Sequence, residues 1–522
     1  MYVILLLVFV VWLLYKWTTS DHDHFAKQGV PNLEPVPVFG NALRSTFGRE
    51  SVVDLFTRSY NKFKQSKIHG MFSFNQISYV LTDPELIKQL TIKDFDHFIN
   101  HNEMVSEVDR VFGKTLFGMR GQVWKDMRST LSPIFTSSKM KAMYGLLYNH
   151  VQDFLKHFEK KTGNGTVDID ALEIFSRFTA DGITNAVLGF EGDCVKNDDS
   201  ALYDLCKEIL HGFASTQAIL KFIIAFLAPK VYSFFEMQII SKKTTDFFRR
   251  VVIDVMKERE RTNVSRPDVI QLMHNVRSKI QNKEALPEGE EDGLKANLKN
   301  LEKIVDDDEY WLAQGFIFFL GGFDTTSHLL QGITLELALN PEIQDELYQE
   351  IIAVNADLDD KPVSYDILHN MKFLDMVISE ALRKHPPFVQ MDRTCSKDYN
   401  LDLGNGKNVL IKKGELVVFP YYQLHRDAEY FPDPEKFDPY RFSDENKDSI
   451  VSGTYIPFGL GPRACIGSRF VLMEVKLLMF HLLLNFEIKK CARTPEKLTY
   501  EQNLAQRILQ RVYLNFVKRI DK

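Results

Sequence analysis

The chain has few cysteines. Its 522 residues hold five, Cys194, Cys206, Cys395, Cys465 and Cys491, scattered, odd in number and without a CxxC pair. That excludes a disulfide framework and a structural zinc site of ordinary spacing, and it fits a reducing, cytosol-facing compartment. Excess positive charge is also absent: the net charge is −6. A nucleic-acid-binding role therefore lacks its electrostatic footprint. No stretch is rich enough in Gly, Ser or Pro to split the body, and no internal repeat occurs, so one large domain or two remain. Nor is the chain poor in apolar residues. At 45% hydrophobic it can bury a large interior, which argues against disorder.

What is present begins at the N-terminus. Met1 to Tyr15 is wholly apolar or aromatic, followed by Lys16 and Trp17. A bilayer span takes ~20 residues (about 17–25), so residues 1–17 read as a membrane anchor at the short end of that range. Trp12, Tyr15 and Trp17 can sit at the interface and Lys16 can snorkel. A signal peptide's basic leader and small-residue cleavage site are missing. No later stretch of comparable length reads as a second span, so the rest is expected on one side of the membrane. Residues 18–45, with Gly29, Pro31, Pro35, Pro37 and Gly40, read as a semi-rigid connector. The body, 46–522, reads as mainly α, a large single helical domain with small β-sheets.

Apolar residues at three-to-four spacing predict helices over 138–160, 168–190 and 236–261. Strand-like pieces occur at 69–81 and around 409–419. The acidic stretch 281–308 reads as a solvated connector before a long central helix, about 306–339. Residues 218–235 are unusually apolar. They fit either a buried helix or a surface element that dips into a bilayer. The 40 Phe residues can line a sizeable cavity, although aromatics fill ordinary cores as readily.

The chemistry concentrates near the C-terminus. In Phe458-Gly459-Leu460-Gly461-Pro462-Arg463-Ala464-Cys465-Ile466-Gly467, three glycines and a proline surround one cysteine just before a helix. Glycines permit a tight turn that aims several N–H groups at one point, and N–H groups at a helix N-terminus favour thiolate over thiol. A thiolate is a soft, strongly donating ligand suited to haem iron. Arg463 can pair with an acidic cofactor group. A lone cysteine in such a loop is otherwise an inert buried thiol.

This loop resembles the haem-binding signature FxxGxRxCxG of the cytochrome P-450 family at every defined position. Further motifs follow in the family's order: Trp124 and Arg128 as WxxxR, Gly321-Gly322-Phe323-Asp324-Thr325-Thr326 as an AGxxT-like segment, Glu380 and Arg383 as ExxR, and Pro434 to Phe442 as a PxxFxPxRF-like segment carrying Arg441. One departure is Gly-Gly where the family has Ala-Gly, which leaves more room. In overall texture the chain looks most like the insect, xenobiotic-metabolising branch.

The resemblance implies a haem b cofactor with Cys465 as its iron ligand and Phe458 in the binding loop. Trp124, Arg128, Arg393 and Arg463 are implied as propionate partners, with His101 at a place where relatives carry a basic residue. Glu380, Arg383 and Arg441 are implied as a charge network supporting the cofactor side. Asp324 and Thr325 resemble the acid–alcohol pair that feeds protons to dioxygen reduction. The Thr325 hydroxyl, four residues on, can reach the Gly321 carbonyl. An isomerase or dehydratase of this haem-thiolate type needs no such pair, and a haem carrier needs neither it nor a reductase. Pocket segments implied by analogy are 99–120, 215–235, 316–326, 387–391 and 503–507, with Phe112, Phe117, Phe316, Phe323, Phe388 and Leu504 as lining candidates. No nicotinamide or reductase fingerprint occurs. Electrons must therefore come from a partner, which the resemblance implies is a membrane-bound reductase drawing on NADPH, with cytochrome b5 as a second donor. Lys125, Arg128, Lys139 and Lys141 are candidates for the docking face. The implied activity is monooxygenation of lipophilic small molecules with O2 at the endoplasmic reticulum membrane, in detoxification of insecticides or plant compounds. Hormone or fatty-acid hydroxylation is the alternative.

Overall fold

The structure, a computed structural model, describes residues 2–102, 109–163, 167–214, 217, 220–221, 224, 229–235, 237–284, 298–404, 406–500 and 511–519. The N-terminal apolar run forms helix α1, Tyr2–Thr18. Its residues Tyr2, Val3, Ile4, Leu5, Val8, Phe9 and Trp12 are exposed. Among the described residues no helix is long and apolar enough to cross a membrane. At 1.5 Å per residue α1 is about 26 Å long, against ~30 Å of bilayer hydrocarbon. The following stretch is docked on the body. Phe25 is fully buried beneath Gly70, where any side chain would strike its ring. Asn32 and Gly40 form bridges to Gly70 and Ser73.

Six helices position the site: α2 Gly121–Leu131, α3 Ser137–Thr162, α4 Ala171–Ile183, α5 Asp308–Leu339, α6 Lys372–Lys384 and α7 Ser468–Asn485. Helix α3 buries Met140, Met143, Leu147, Val151, Phe154 and Phe158, the stripe its spacing predicts. Helix α4 is capped by Asp170, which accepts the Glu173 N–H, and it runs on through a wider turn, Thr184–Leu188, ended by Gly189 at φ 82°. The helix expected from 236 starts only after the Ser241 cap.

Helix α5 crosses the core. Asp307 caps it by accepting the Glu309 N–H, with Asp308 and Glu309 in the first turn where the helix dipole favours acid. Asp307 and Asp308 also pair with Lys114 and Arg277, so the acidic stretch ends in a fixed cap; residues 285–297 of the expected connector lie outside the described residues. Pro341 opens the next helix, and Asn340 leaves helical geometry before it. Being apolar nearly all round, α5 is buried nearly all round.

Helices α4 and α5 approach closely. The Thr179 hydroxyl donates to the Phe323 carbonyl at 2.9 Å, and a methyl group on Gly322 would collide with the Ile183 side chain. Gly321, by contrast, faces open space. The two glycines therefore differ: Gly321 makes room, whereas Gly322 permits contact. Alanine improves helix propensity by ~1 kcal/mol, but overpacking costs about 1–3 kcal/mol. Urea melts are expected to rank Gly321→Ala above the unaltered protein and Gly322→Ala below it.

Nine strands occur among the described residues. β1 (Ile68–Ser73) and β2 (Gln76–Leu81) form a hairpin; β3 is Ile169–Asp170, β4 Met391–Thr394, β5 Tyr399–Asp402, β6 Asn408–Ile411, β7 Leu416–Phe419, β8 Phe486–Lys490 and β9 Tyr513–Lys518. The four-stranded sheet runs β1-β2-β7-β4, with β2 and β7 parallel and its other pairs antiparallel. The others are β3-β9-β8 and β5-β6. The strand expected at 409–419 is two strands in two sheets, separated at Gly414, φ 90°. Strand β4 sets Arg393 opposite Val417, and a bridge from Asn100 to Thr394 brings His101 beside it.

Much of 218–235 lies outside the described residues. The part described includes a short helix, Pro229–Phe234, with Leu220, Val231, Phe234 and Phe235 exposed, so a wholly buried helix is excluded there.

Candidate functional site

A cavity of about 260 Å³ lies between α5 and the Cys465 loop, with a mainly apolar lining. The loop's shape follows from its glycines. Gly459 and Gly461 have φ of 80° and 73°, and a side chain on Gly461 would strike the Thr91 carbonyl. The Cys465 N–H donates to the Phe458 carbonyl at 2.8 Å and closes the turn. The Cys465 side chain is exposed to the cavity just before α7. Burial pushes its thiol up, outweighing the Gly467 N–H, Arg128 and the Ser468 N–H, which pull it down. The N–H groups act in the expected direction, but enclosure by protein is the larger effect.

Trp124 and Arg128, one turn apart on α2, both line the cavity, as do Arg393, Arg463, His101 and Phe458. Arg463 is the most constrained. Its guanidinium donates to the carbonyls of Ile99, Leu116, Phe117 and Met119 and lies 3.9 Å from the Trp124 ring centroid. Burial pulls its pKa well below the usual value, and Arg393 and Arg128 add to this; Asp392 opposes. Four of its five N–H groups are therefore already spent on backbone, which departs from the expectation of a simple acid-binding arginine. Arg393 is fully buried, and its Nε has no hydrogen-bond partner. His101 stacks on Phe117 at 4.2 Å between centroids, and its Nδ1 is 3.2 Å from both Asp392 Oδ1 and Arg393 Nη1. Burial first, then Arg393, pushes its imidazole down to about 3. His101 thus lies in the cavity wall where it was expected, with burial disfavouring its charged form.

The sequence profile of the family Cytochrome P450 matches residues 30–516. Cytochrome P450 9e2 of Blattella germanica is 39% identical over 502 residues, 93% of this chain and 92% of that protein. Cytochrome P450 9b2 of Drosophila melanogaster is 35% identical over 495 residues, 94% and 93% of the two chains, and cytochrome P450 6k1 of B. germanica is 32% identical over 486 residues, 92% and 90%.

The chain belongs to the cytochrome P450 family.

It is a monooxygenase of the insect type, and membership brings a haem, O2, a small-molecule substrate and a redox partner. The residues of this P450 fit a haem. Three guanidiniums meet at one end of the cavity with Asp392 facing them, and the Arg393 Nε lacks an acceptor. A dianionic, propionate-bearing group supplies the missing negative charge and the missing acceptor. The Cys465 sulfur faces the same cavity.

On α5, the Thr325 hydroxyl donates to the Gly321 carbonyl at 2.6 Å and lines the cavity. Asp324 does not line it. Its carboxylate lies 3.3 Å from His328 Nδ1, which also meets the Asp324 carbonyl at 2.7 Å. Thr325→Ala removes the hydroxyl that α5 presents to the cavity without opening the core. It is expected to keep haem and to divert electrons to hydrogen peroxide, read as a fall in product formed per NADPH.

Among the pocket candidates, Phe117 and Phe388 line the cavity. Phe316 and Phe323 do not: both are buried, and Phe316 packs on Phe248 while Phe323 stacks on Phe319. The cavity face of α5 is Ile317, Phe318, Gly321, Gly322 and Thr325. At ~100° per residue, Phe316 and Phe323 point roughly half a turn away. Phe112 packs edge-on against Phe117 behind the lining, and Leu504 lies outside the described residues. Phe135, Phe318 and Ile183 line the cavity without having been singled out. Phe318 had a readable signal, since it lies three residues before Gly321.

Glu380 and Arg383 on α6 are fully buried and joined by two 2.7 Å bonds. Glu380 Oε1 also accepts the Asp438 N–H at 2.9 Å and lies 3.5 Å from Arg441 Nε. The structure thus gathers the three residues of the expected network. Of the docking-face candidates, Lys139 and Lys141 are exposed and Lys125 is half-buried, whereas Arg128 is buried in the cavity wall and drops out of that surface.

Proposed function

We propose that Cys465 ligates the haem iron and that Trp124, Arg128 and Arg393 take the propionates, with Arg463 bracing that end. The haem, when bound through a thiolate, supplies dioxygen activation. Around it, Thr325 holds a proton donor at the cavity wall. Asp324 relays protons from the His328 side. Phe117, Phe318, Phe388 and Ile317 orient the substrate and exclude water. The observation that carries this reading is one mainly apolar cavity lined by both Cys465 and Thr325, with the guanidiniums of Arg128, Arg393 and Arg463 gathered in its wall.

Such a cavity suits neutral lipophilic substrates held by burial. We assign the chain to oxidation of xenobiotics, with electrons from NADPH through a membrane-bound reductase and with cytochrome b5 as a second donor. Incubation with reductase, NADPH and a panel of neutral insecticides, plant compounds, hormones and fatty acids tests this by product mass spectrometry. Hydroxylated or epoxidised neutral xenobiotics are the expected products. Turnover confined to hormones or fatty acids would replace the detoxification role.

Residues 46–522 form the catalytic domain in this reading, and α1 anchors it in the endoplasmic reticulum membrane with the domain on the cytosolic face. A helix that exposes Tyr2, Val3, Ile4, Leu5, Val8, Phe9 and Trp12 is suited to an apolar surrounding, and Lys16 and Trp17 can make up its short length. Deletion of residues 2–17 is expected to release the protein from alkaline-washed membranes to a greater extent than the full chain.

A further inference from the structure

His425 takes no part in the site described so far, yet it joins α6 to the cysteine loop. It follows a short helix, Tyr421–Leu424, and is fully buried. Its carbonyl accepts from Arg383 Nη1 at 2.7 Å. Its Nε2 accepts the Ile456 N–H at 3.0 Å. The Ile456 carbonyl in turn accepts the Gly459 N–H at 3.0 Å, and the Phe458 carbonyl accepts the Cys465 N–H at 2.8 Å. A run of hydrogen bonds and short backbone steps thus connects the Glu380–Arg383 pair to the sulfur's own residue. The adjacent Tyr455 packs on the His425 ring at 5.6 Å and donates its hydroxyl to the Ser379 carbonyl, one residue before Glu380. The stem of the loop is therefore tied to α6 twice, directly at Tyr455 and through His425 at Ile456.

We propose that His425 is a positioning residue for Cys465: its Nε2, acting as an acceptor, fixes the stem of the loop and so the place of the sulfur in the cavity. This rests on Cys465 being the iron ligand. The ring is suited to the task. Burial, Arg383 and Arg426 push its pKa down to about 3, so it stays neutral and Nε2 keeps its lone pair near neutral pH. The tautomer this requires carries the proton on Nδ1, an atom with no partner. A side chain without an acceptor at 425 would leave the N–H of buried Ile456 unpaired.

The test uses full-length, haem-loaded protein and two variants, His425→Phe and His425→Gln. The glutamine carbonyl can accept the Ile456 N–H; phenylalanine cannot. The readouts are haem content and the rate at which the thiolate-type ferrous–carbon monoxide band is lost on warming. His425→Phe is expected to lose that band roughly tenfold or more faster, the equivalent of one unmade buried hydrogen bond. His425→Gln is expected to recover most of the difference. Equal rates for His425→Phe and the unaltered protein, or a glutamine variant as poor as the phenylalanine one, would overturn the proposal. A second readout needs no variant. Hydrogen exchange in the unaltered protein should show the Ile456 amide among the slowest between 450 and 460, and fast exchange there would overturn it too. Absence of a thiolate-type band from the unaltered protein would instead strike down the ligand assignment beneath it.

Discussion

Glu380→Ala is expected to accumulate without haem. The carboxylate is fully buried, bonded through both oxygens to Arg383, and it also accepts the Asp438 N–H and faces Arg441. Its removal leaves the buried Arg383 guanidinium and the Asp438 amide without this acceptor, and Arg441 without its counter-charge. Breaking a buried pair in this way costs ~3–5 kcal/mol, a large part of the 5–15 kcal/mol that holds a typical domain together. The damage falls on the cofactor side, because Arg383 also holds the carbonyls of His425 and Pro434. Glu380→Gln keeps the shape but not the charge and should fall between. Pigment per polypeptide, with a urea midpoint for each variant, measures the effect. Normal haem loading of Glu380→Ala would show that the network is dispensable.

Glu474→Gln is expected to act in the opposite direction. Glu474 sits on α7, one turn beyond the cavity residue Phe470, and is fully buried. Neither carboxylate oxygen has a hydrogen-bond partner, and Oε1 fills the space left by Gly182. Burial raises its pKa from 4.5 to about 8. The native chain thus keeps a proton that the unfolded chain releases above 4.5. The contribution of this group to stability is fully present below pH 4.5 and is lost as pH rises toward 8. Across that window the loss is on the order of 4 kcal/mol. Glutamine has the same shape and does not titrate. Denaturation midpoints should therefore nearly coincide at pH 5, with the variant pulling ahead by pH 8.5. Parallel profiles for the two proteins would mean that Glu474 carries an ordinary pKa.

Much of the site was legible because its chemistry is written locally. Cys465 in its glycine loop, Trp124 with Arg128, and Glu380 with Arg383 are each separated by no more than one helical turn, and the structure places each group as one unit. What was not legible was phase and distance. Helix α5 is apolar all round, so periodicity does not say which of Phe316, Phe318 and Phe323 faces the cavity; only the contact with α4 through Gly322 decides it. Arg463 meets its carbonyl partners across more than 340 residues, and no local pattern announces them. His101 looked basic by position, but its charged form is disfavoured first by burial and then by Arg393, nearly 300 residues away. Glu474 was readable and overlooked: one acid among Leu472, Met473 and Val475 marks either a surface stripe or a buried proton.

The bond between the Cys465 sulfur and haem iron is tested most directly by the reduced, carbon monoxide-bound absorption spectrum of the purified full-length protein beside Cys465→Ser. A thiolate-type band in the unaltered protein, absent from the serine variant, is the predicted result. A histidine-type spectrum in the unaltered protein, or an unchanged band in Cys465→Ser, would contradict it.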